Sequence, residues 1–488
     1  MSRLNSALAQ SVTTVQTPQY NRQKTKAGII HLGIGAFHRA HQAWYTHHVM
    51  NQNGGDWGII ACSLRSATVY QQMAEQDCLY TLLERGNTDK TELIGSVQQV
   101  LVGPENPQAI VDAIAGESIK VISLTVTEKG YCHHPATGQL NTEHPDIIHD
   151  INHLGSPKSA IGYIVAGLKA RQEKNLSGIT VMSCDNLPSN GLVTQRCVLQ
   201  LAESISPALA RWIKQNVTFP STVIDRIVPA TVANDIALFE DKLGYRDEAM
   251  VVAEPFSQWI IEDNFANTRP AWEQVGAQFV TQAEIYELIK LRLLNGTHSL
   301  LAYAGYLAGK ETIADVMQDH VLKKLCTAFM QSAASTITAP EGFDIKAYQE
   351  QLHERFENPG LKHRTWQIAM DGSQKIPQRW LSTLSDIIET NGDIRFFAFA
   401  LAAWMKYISG TDDQRRAIQV SDPLADDFAA IAKQCAHTPT EYVARIFALE
   451  SIFPQTLLNI NNLELFTCEY LREINLNGTL ATARKLLR

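Results

Sequence analysis

The sequence predicts an α/β fold, in which a domain built on a parallel sheet is followed by a mostly α-helical domain. Three observations support this prediction. Short apolar runs alternate with helical stretches in the first half of the chain, and the first of these runs ends in a glycine-rich turn. From about residue 282 the pattern changes to long helical stretches. A length of 488 residues also exceeds what one core usually supports, so we expect two domains.

The composition favours a soluble cytoplasmic protein. Hydrophobic residues make up 45% and charged residues 19% of the chain, which is the balance of a globular protein. The net charge of −8 gives no attraction to polyanions, so neither nucleic acid nor membrane is an expected partner. The eight cysteines contain no C-x-x-C pair, as in reduced cytosolic proteins. We see no signal peptide in residues 1–26, and the longest apolar run, 396–405, is too short to cross a bilayer.

A strand, a helix and a second strand open the first domain. The run "AGIIHLGIG" (27–35) ends in glycines, which predicts a buried strand and a tight turn. The segment "AFHRAHQAWYTHHVMNQNGG" (36–55) has helical spacing and ends in Asn-Gly-Gly, a helix stop. The run "DWGIIACSL" (56–64) supplies the second strand. This order favours a parallel sheet.

Further helix and strand pairs extend the sheet. We predict helices over 107–118 and 159–175, strands over 119–127 and 177–184, and extended segments over 221–230 and 249–261. Glu128 follows the first of these strands, and Asp185 and Asn186 follow the second. Ligands of open α/β sheets bind beyond the carboxyl ends of the strands, so we expect these three residues near the site.

The change of pattern near residue 282 sets the expected domain boundary. The segments "AEIYELIKLRLLNGTHSLLAYAGYLAG" (283–309) and "FFAFALAAWMKYIS" (396–409) are helical in spacing, and no strand is evident around them. We therefore expect a Rossmann-type NAD(P)-binding domain over 1–281, beginning with a polar leader over 1–26. A mostly helical substrate and catalytic domain is expected over 282–488.

The turn after the first strand carries part of a dinucleotide fingerprint. A full G-x-G-x-x-G motif uses glycines for the tight turn and for the close approach of the pyrophosphate. Here Gly33 and Gly35 fit, but His38 occupies the third position. The location directly after the first strand of a strand, helix and strand unit favours a nucleotide loop over an ordinary turn.

The end of the second strand bears on the choice of cofactor. Ser63, Leu64, Arg65 and Ser66 stand where an acidic residue usually binds the adenosine ribose of NAD. Arg65 could accept the 2′-phosphate of NADP or stack on the adenine. We expect NAD, and NADP stays open as the alternative.

A metal site is the other interpretation of the opening histidines. His38 and His41 are three residues apart, and His47 and His48 follow. A catalytic zinc normally needs a third protein ligand, and none can be identified by spacing. We therefore expect no metal, and we assign these histidines to packing or hydrogen bonding.

A candidate catalytic group lies on the first long helix of the second domain. Lys290, Asn295 and His298 form the pattern K-x-x-x-x-N-x-x-H. In an α-helix they would lie at about 0°, 140° and 80° around the axis, over a rise of roughly 12 Å. An amine, an amide and an imidazole could then contact one small molecule. The alternative is that Lys290 extends from an amphipathic helix while Asn295 and Gly296 mark a helix break.

Six motifs in order resemble those of the mannitol dehydrogenase family, the polyol-specific long-chain dehydrogenases and reductases. They are "GIGAFHRAHQ" (33–42), "SLTVTEKGY" (123–131), "MSCDN" (182–186), "VIDRIVP" (223–229), "KLRLLNGTHS" (290–299) and "DGSQKIP" (371–377). The resemblance covers the chain from about Gly28 onward. Within the family, "HRTWQIAMDGSQKIPQR" (363–379) and "SLTVTEKGY" are most similar to the fructuronate reductase (D-mannonate oxidoreductase) group.

The resemblance implies metal-independent hydride transfer between NAD and a secondary alcohol, interconverting D-fructuronate and D-mannonate in hexuronate catabolism. Lys290 would be the general acid and base, and Asn186 and Asn295 would hydrogen-bond the oxygen as it becomes alkoxide-like. His298 would orient substrate hydroxyls, and Glu287 would relay protons to solvent. The implied cofactor-binding residues are Gly33, Ile34, Gly35, Ala36, Phe37, Arg65, Glu128 and Asn186.

The lysine role has a physical requirement. A free lysine has a pKa near 10.4, so a useful base near neutrality must be desolvated or lie close to positive charge.

A sugar-acid substrate carries a carboxylate, so its binding site should offer a cation or several hydrogen-bond donors. Lys375, within the family motif, is the first candidate, with Arg364 and Arg379 behind it. Polyol-oxidising members of the family carry Arg four residues before Asp-Gly-Ser, where this chain has Gln367. This departure argues against mannitol as the preferred substrate.

Several alternatives stay open at this point. The activities of mannitol 2-dehydrogenase and of tagaturonate reductase differ from the expected one only in the sugar. A sugar- or nucleotide-binding regulator without catalysis is a more distant alternative. We expect a small-molecule substrate, and a monomer or a small homo-oligomer.

Overall fold

The structure, a computed structural model, describes residues 1–86, 88–134, 137–435, 438–454 and 462–488. The chain divides into two compact units, Met1–Glu284 and Ile285–Arg488. The boundary expected from the sequence, after residue 281, falls just before this division. The predicted fold class is confirmed, because a unit built on a parallel sheet is followed by a helical unit.

The strands of the described chain all lie in the first unit. In chain order they are β1 (Ala27–Leu32), β2 (Gly58–Ser63), β3 (Tyr80–Glu84), β4 (Lys90–Ile94), β5 (Val97–Val102), β6 (Val121–Leu124), β7 (Ile179–Ser183), β8 (Val217–Thr218), β9 (Thr222–Asp225), β10 (Val251–Ala253), β11 (Gln258–Glu262) and β12 (Gln278–Val280). Six of them form a parallel sheet in the order β5-β2-β1-β6-β7-β8. The direction of this order reverses between β1 and β6, which is where such sheets bind their ligands.

The central strands of this sheet are buried along nearly their whole length. This holds for β1, β6 and β7, and it is expected of parallel strands covered by helices on both faces. Residues 29–32 of β1 pair in register with residues 121–124 of β6. On the other side of β1, Leu32 pairs with Cys62 of β2. The carboxyl ends of β2, β1 and β6 therefore lie side by side.

Two smaller sheets complete the first unit, in the orders β10-β3-β4 and β12-β11-β9. Strands β3, β4, β5, β8 and β12 are not predicted from the sequence pattern. Among these, β4 and β5 mix polar and apolar residues because they are partly exposed, so they lack a continuous apolar run. The extended segment predicted over 249–261 is two strands, β10 and β11, because Pro255 lies between them and cannot donate to a ladder.

The helices of the first unit differ in how they begin, and several start at a side-chain cap. They are α1 (Ser6–Ala9), α2 (Ala36–Ala40), α3 (Gln42–Asn53), α4 (Thr68–Ala74), α5 (Pro107–Ile114), α6 (Pro145–Asn152), α7 (Ala160–Glu173), α8 (Asn190–Ile205), α9 (Pro207–Asn216) and α10 (Ala233–Leu243). Asn106, Ser159 and Ser206 each accept the backbone N–H three residues ahead, and so cap α5, α7 and α9. Short 3₁₀ turns cover Glu128–Tyr131 and Trp272–Val275.

Residues 1–26 pack onto the first unit. Leu4 is fully buried in an apolar cluster that includes Tyr245. Arg22 donates to the carbonyl oxygens of Gly95, at 2.9 Å, and Val97, at 3.0 Å. The polar composition of this segment therefore does not keep it out of the core.

The described part of the second unit is helical, with no strand longer than an isolated bridge. Its helices are α11 (Glu284–Ile289, which begins at the boundary), α12 (Thr297–Leu307), α13 (Ile313–Gln318), α14 (His320–Ala334), α15 (Ile345–Glu357), α16 (Thr365–Ile368), α17 (Gly372–Ile376), α18 (Ser382–Glu389), α19 (Arg395–Ile408), α20 (Ala425–Gln434), α21 (Pro439–Phe447), α22 (Leu463–Asn477) and α23 (Thr479–Leu486). A short 3₁₀ turn covers Pro359–Leu361. Two π-helical segments, Lys290–Gly296 and Pro377–Leu381, lie between α-helices. Helices α12 and α19 are buried on nearly all sides and form the centre of this unit.

Two sequence-based expectations about burial and the membrane can be compared with the structure. None of the helices in the described ranges is both long and apolar enough to span a bilayer. All eight cysteines are described, and all are free and buried.

Candidate functional site

The glycine turn after β1 can be formed only by glycine at its first position. Gly33 has φ of +101°, and a Cβ placed on it would lie 2.0 Å from the carbonyl oxygen of Thr125. The Gly33 N–H donates to the carbonyl of Cys62 at 2.9 Å. The turn is therefore held between the carboxyl ends of β2 and β6, at the point where the strand order reverses.

Gly35 has the opposite surroundings. It is exposed, and a Cβ placed on it would meet no atom within 4 Å. Ala36 and Phe37, which follow it into α2, are partly exposed, whereas Ile34 is buried in the core. The backbone of this loop therefore borders open space that a phosphate group could approach closely, as the dinucleotide interpretation requires.

His38 lies beneath this loop and does not face the open space. Its ring is fully buried and stacks on the ring of His31 in β1, with centroids 3.4 Å apart. Neither ring nitrogen of His38 makes a hydrogen bond to a described residue. Burial, with the nearby His31, Arg39 and His41, holds the pKa of His38 well below its usual value. The third glycine of a Rossmann loop permits close packing of helix on strand, and here a stack of two flat neutral rings occupies that position.

His31 connects the loop to the neighbouring strand. Its Nδ1 hydrogen-bonds with Ser123 Oγ at 2.8 Å, and its Nε2 with Thr125 Oγ1 at 2.9 Å. Ser123 Oγ in turn donates to Gln42 Oε1 at 2.7 Å. Burial lowers the pKa of His31 to about 3, so the ring is neutral. His31 was not among the predicted site residues, because in the sequence it is a single polar position within an apolar strand.

The other histidines of the opening stretch lie in separate surroundings. His41 Nε2 hydrogen-bonds with the Gln258 carbonyl at 3.1 Å. His47 hydrogen-bonds with Tyr20 at 3.0 Å, and His48 with Glu92 at 3.1 Å. Their contacts are the packing and hydrogen bonds expected from the sequence. Among the described residues, the side chains grouped within reach of one metal ion are Cys132, His144 and Asp146, far along the chain from these histidines.

The loops after β6 and β7 are tied together by a carboxylate. Asp185 accepts the N–H groups of Val126, at 2.9 Å, and Thr127, at 3.0 Å, and also the hydroxyl of Tyr131. Thr127 has φ of +63°, which is unfavourable for a β-branched residue. The strand predicted over 119–127 ends at Leu124 because these N–H groups bond to Asp185 instead of a ladder.

Apart from Asp185, the polar residues predicted at the strand ends are exposed to solvent. Glu128 begins the 3₁₀ turn and is exposed, and Asn186 is exposed directly after the buried Asp185. Arg65, two residues beyond β2, has an exposed side chain whose Nη2 lies 3.3 Å from Asp146 Oδ2 at the start of α6. Neither the bonds of Asp185 to residues 126 and 127 nor the pairing of Asp146 with Arg65 was predicted from the sequence.

In the second unit, Lys290, Asn295 and His298 are buried, with exposed fractions of 8%, 7% and 7%. The α-helical angles assigned to them from the sequence are wrong for the segment Lys290–Gly296, because it is π-helical. In a π-helix the backbone bonds join residues five apart, which is the separation of Lys290 and Asn295. The amine and the amide are therefore closer in angle than the 140° of an α-helix.

Contacts with other helices hold this π-helical segment. Arg292 donates to the Thr336 carbonyl at 3.0 Å and pairs with Asp386. Trp380 Nε1, in the second π-helical segment, donates to the Gly296 carbonyl at 2.9 Å. Arg379 donates to Ser299 Oγ at 2.9 Å. The Trp380 bond satisfies a backbone carbonyl of the π-helical segment, and the other bonds anchor side chains in or next to it.

His298 lies among cationic side chains. Its ring stacks on Phe356 and makes an edge contact with His363, at centroid distances of 5.2 and 4.7 Å. Burial, followed by the proximity of His363, holds its pKa well below the usual value. The charges that act on it in the same direction are those of Arg379, Arg355 and Lys375. His298 Nε2 makes no hydrogen bond to a described residue, so a neutral ring nitrogen is available beside three cations.

Of the remaining residues predicted in this unit, Lys375 lies in the group around His298 and Arg364 lies at the surface. Lys375 Nζ donates to the Met370 carbonyl at 2.6 Å and belongs to the group around His298. Arg364 does not belong to this group, since its side chain is exposed and pairs with Glu311 at the surface. Glu287 is partly buried, one helical turn before Lys290.

Arg355 is the member of this group that the sequence analysis does not identify. It is buried on α15, whose sequence "IKAYQEQLHERFE" reads as an ordinary amphipathic helix with one charged face. Only its neighbour Phe356, which packs on His298, marks this end of the helix as buried. No spacing signal links it to the motif residues.

Family models match both parts of the chain. The mannitol dehydrogenase Rossmann domain matches residues 27–274, and the mannitol dehydrogenase C-terminal domain matches residues 282–465.

Similar proteins and solved structures cover nearly the whole chain. The D-mannonate oxidoreductase of Escherichia coli (strain K12) is 46% identical over 91% of this chain and 92% of its own. A mannitol 2-dehydrogenase of Aspergillus fumigatus (strain CBS 144.89 / FGSC A1163 / CEA10) is 37% identical over 91% and 90%. The Pseudomonas fluorescens mannitol 2-dehydrogenase, in a ternary complex with NAD and D-mannitol, superposes with a TM-score of 0.89 at 35% identity, covering 99% of both chains.

The two glycines of the loop predict two different mutant phenotypes. Gly33→Ala should lower the free energy of unfolding by about 3 kcal/mol, because it combines a positive φ with a backbone clash. Gly35→Ala should change stability by less than about 1 kcal/mol, yet weaken NADH binding roughly tenfold by filling the open space. Denaturant unfolding and NADH quenching of tryptophan fluorescence measure the two effects. Equal losses of stability in both variants would contradict the assignment.

The buried histidines of the first unit predict an acid-sensitive fold. His31, His38 and His47 have folded-state pKa values far below about 6.5, the value expected in the unfolded chain. Unfolding therefore takes up as many as three protons once the pH falls below about 6.5, and stability should decline there by up to about 4 kcal/mol per pH unit. Above that pH these residues add no pH dependence.

Calorimetric unfolding of the full chain between about pH 5 and pH 7 measures this slope. His47→Gln should reduce the slope by the contribution of one proton. The matched control is His134→Gln, at an exposed position, and it should leave the slope unchanged. A slope unaffected by His47→Gln would show that other groups produce the acid sensitivity.

Proposed function

The chain belongs to the mannitol dehydrogenase family of oxidoreductases, and from this premise we propose that it interconverts D-fructuronate and D-mannonate with NAD. The observation that carries this proposal is the cationic group around His298 in the second unit. A hexuronate and its hexonate both carry a carboxylate, whereas mannitol and fructose carry none. The similarity to D-mannonate oxidoreductase supports the same choice.

Three positive side chains give the proposed carboxylate site its selectivity. Arg355, Lys375 and Arg379 all act on His298, and Arg355 is itself buried. Charge-assisted hydrogen bonds to a carboxylate are roughly twice as strong as neutral ones, and burial reduces their screening by salt. An uncharged polyol offers no carboxylate for such charge-assisted hydrogen bonds. The arrangement thus favours a sugar acid over mannitol.

The glycine loop fits a nicotinamide dinucleotide. The space beside Gly35, which a Cβ would fill, suits the approach of a pyrophosphate to the backbone of residues 33–37. Arg65, beyond β2, is proposed for the adenosine end. The dinucleotide, when bound, supplies the hydride acceptor and donor. The solved relative with NAD supports this choice of cofactor.

Lys290 is proposed as the general acid and base. Its amine takes the hydroxyl proton when the alcohol is oxidised and returns it when the ketone is reduced. Its side chain is buried, as expected of a base that is kept out of bulk water. Glu287, one turn earlier and partly buried, is proposed to pass this proton to solvent. Lys290 and Asn295 are five residues apart in the π-helical segment, so their side chains leave the helix on similar sides. Both are proposed to contact the same substrate oxygen.

The remaining proposed roles belong to donors. The Asn295 side-chain amide would donate to the oxygen as negative charge develops on it. His298 would use its available Nε2 to orient a substrate hydroxyl. For Asn186 and Glu128, which lie in the first unit, the proposal rests on the sequence motifs alone. The mechanism uses no metal, because the Lys290 amine and the amide supply the proton transfer and the charge stabilisation.

Replacement of Lys290 tests the mechanism. Lys290→Ala should lower the rate of fructuronate reduction by about 10³-fold, with NADH binding retained, because the proton donor is lost. Lys324→Ala is the matched control, since Lys324 is exposed on α14. NADH absorbance follows turnover, with fructuronate, tagaturonate and fructose compared and EDTA expected to have no effect. Activity of Lys290→Ala within a few-fold of the wild type would refute the lysine mechanism. Faster turnover of fructose or tagaturonate than of fructuronate would show that the enzyme prefers another substrate.

Replacement of Lys375 tests the carboxylate site. Lys375→Met should raise KM for fructuronate by about 10-fold to 100-fold, while KM for fructose changes by less than about threefold. Arg364→Met is the control, because its side chain pairs with Glu311 away from His298. Steady-state kinetics with the two substrates give the comparison. Equal effects on the charged and the uncharged substrate would argue against a carboxylate contact.

A further inference from the structure

An ion pair at the end of β2 joins two segments that are distant in sequence. Arg65 lies two residues beyond this strand, and its Nη2 is 3.3 Å from Oδ2 of Asp146 in the first turn of α6. The Arg65 side chain is 72% exposed, and that of Asp146 is 19% exposed. Exposed pairs of this kind contribute little to folding stability, so replacing either partner should leave the fold intact.

The position of the pair relates it to the nucleotide. The Cys62 carbonyl near the end of β2 accepts the N–H of Gly33, so the strand end adjoins the glycine loop. In Rossmann folds the residue at this strand end meets the 2′ position of the adenosine ribose. An acidic residue there hydrogen-bonds the free hydroxyl of NAD, whereas an arginine accommodates the 2′-phosphate of NADP. Arg65 alone would therefore favour NADP.

The carboxylate of Asp146 is held in place by the start of α6. Pro145 occupies the first position of this helix, and the Asp146 N–H is bonded to His144 Nδ1 at 3.2 Å. The side chain is consequently directed from a fixed backbone toward the exposed guanidinium of Arg65. Strand β2 has no acidic residue at its end. Instead, Asp146 of α6 places a carboxylate beside the guanidinium of Arg65.

We propose that Asp146 makes this enzyme select NAD over NADP. Its carboxylate neutralises the Arg65 guanidinium and repels a 2′-phosphate, while it can accept a hydrogen bond from the free 2′-hydroxyl of NAD. Asp146 is thus the specificity-determining acid of this site, supplied by α6 instead of β2. This inference rests on the cofactor part of the proposed function and refines it.

The test compares dinucleotide binding without any substrate. NADH and NADPH are titrated against the full-length protein, and quenching of tryptophan fluorescence gives both Kd values. Asp146→Asn removes the charge and keeps the shape, so the affinity for NADPH should rise about tenfold or more, while that for NADH falls by less than about fivefold. Asp146→Ser, which suits a first helical turn, is the second variant if the first folds poorly.

Two further variants make the result specific. Arg65→Ala combined with Asp146→Asn should lose the gained NADPH affinity, because the phosphate then lacks its cation. Asp112→Asn, the matched control, removes one negative charge from an exposed position on α5 and should leave the ratio of the two Kd values unchanged.

The outcomes separate the two proposals. A ratio that shifts in Asp146→Asn and returns in the double variant supports the inference. A ratio that stays constant, with both dinucleotides bound, overturns the inference and leaves the proposed NAD-dependent function standing. Failure of the wild type to bind either dinucleotide would overturn the proposed cofactor, and the inference with it.

Discussion

The close approach of Gly33 to the carbonyl of Thr125 is the constraint on which the first unit depends. No side chain fits there, since a Cβ would lie 2.0 Å from that oxygen. The ends of β1 and β6 can therefore meet at the point where the strand order reverses. Asp185 then extends the same junction to β7 by binding the backbone of Val126 and Thr127. Three motifs separated along the sequence become one edge of the sheet, and Thr127 is held in its unfavourable conformation by these bonds.

The same junction explains which parts of the fold were predictable. Strands β1, β2, β6 and β7 are continuous apolar runs because they are buried on both faces, and such runs are visible in a sequence. The edge strand β5, V-Q-Q-V-L-V, is partly exposed and lacks that signal. The nucleotide loop was predictable from its glycines, but the stack of His38 on His31 was not. It depends on the packing of a helix on a strand, and no periodic pattern records such a contact.

The second unit shows a different limit of sequence reasoning. Lys290, Asn295 and His298 were identified as a set, yet their geometry was assigned on the wrong helix type. A π-helical segment is stabilised by tertiary contacts, here from Arg292 and Trp380, and not by local propensity. Arg355 was not identified for a related reason. Its helix has the pattern of a solvated face, and only packing against the His298 region gives this arginine its role.

The electrostatics around His298 link this geometry to chemistry. An imidazole beside cations cannot readily gain a proton, and so it keeps a neutral nitrogen that can hydrogen-bond a hydroxyl. Burial is the largest cause of this low pKa, and the cations that add to it are the groups proposed to bind the substrate carboxylate. Under the proposed function, the charges that bind an acidic substrate also favour the neutral form of His298.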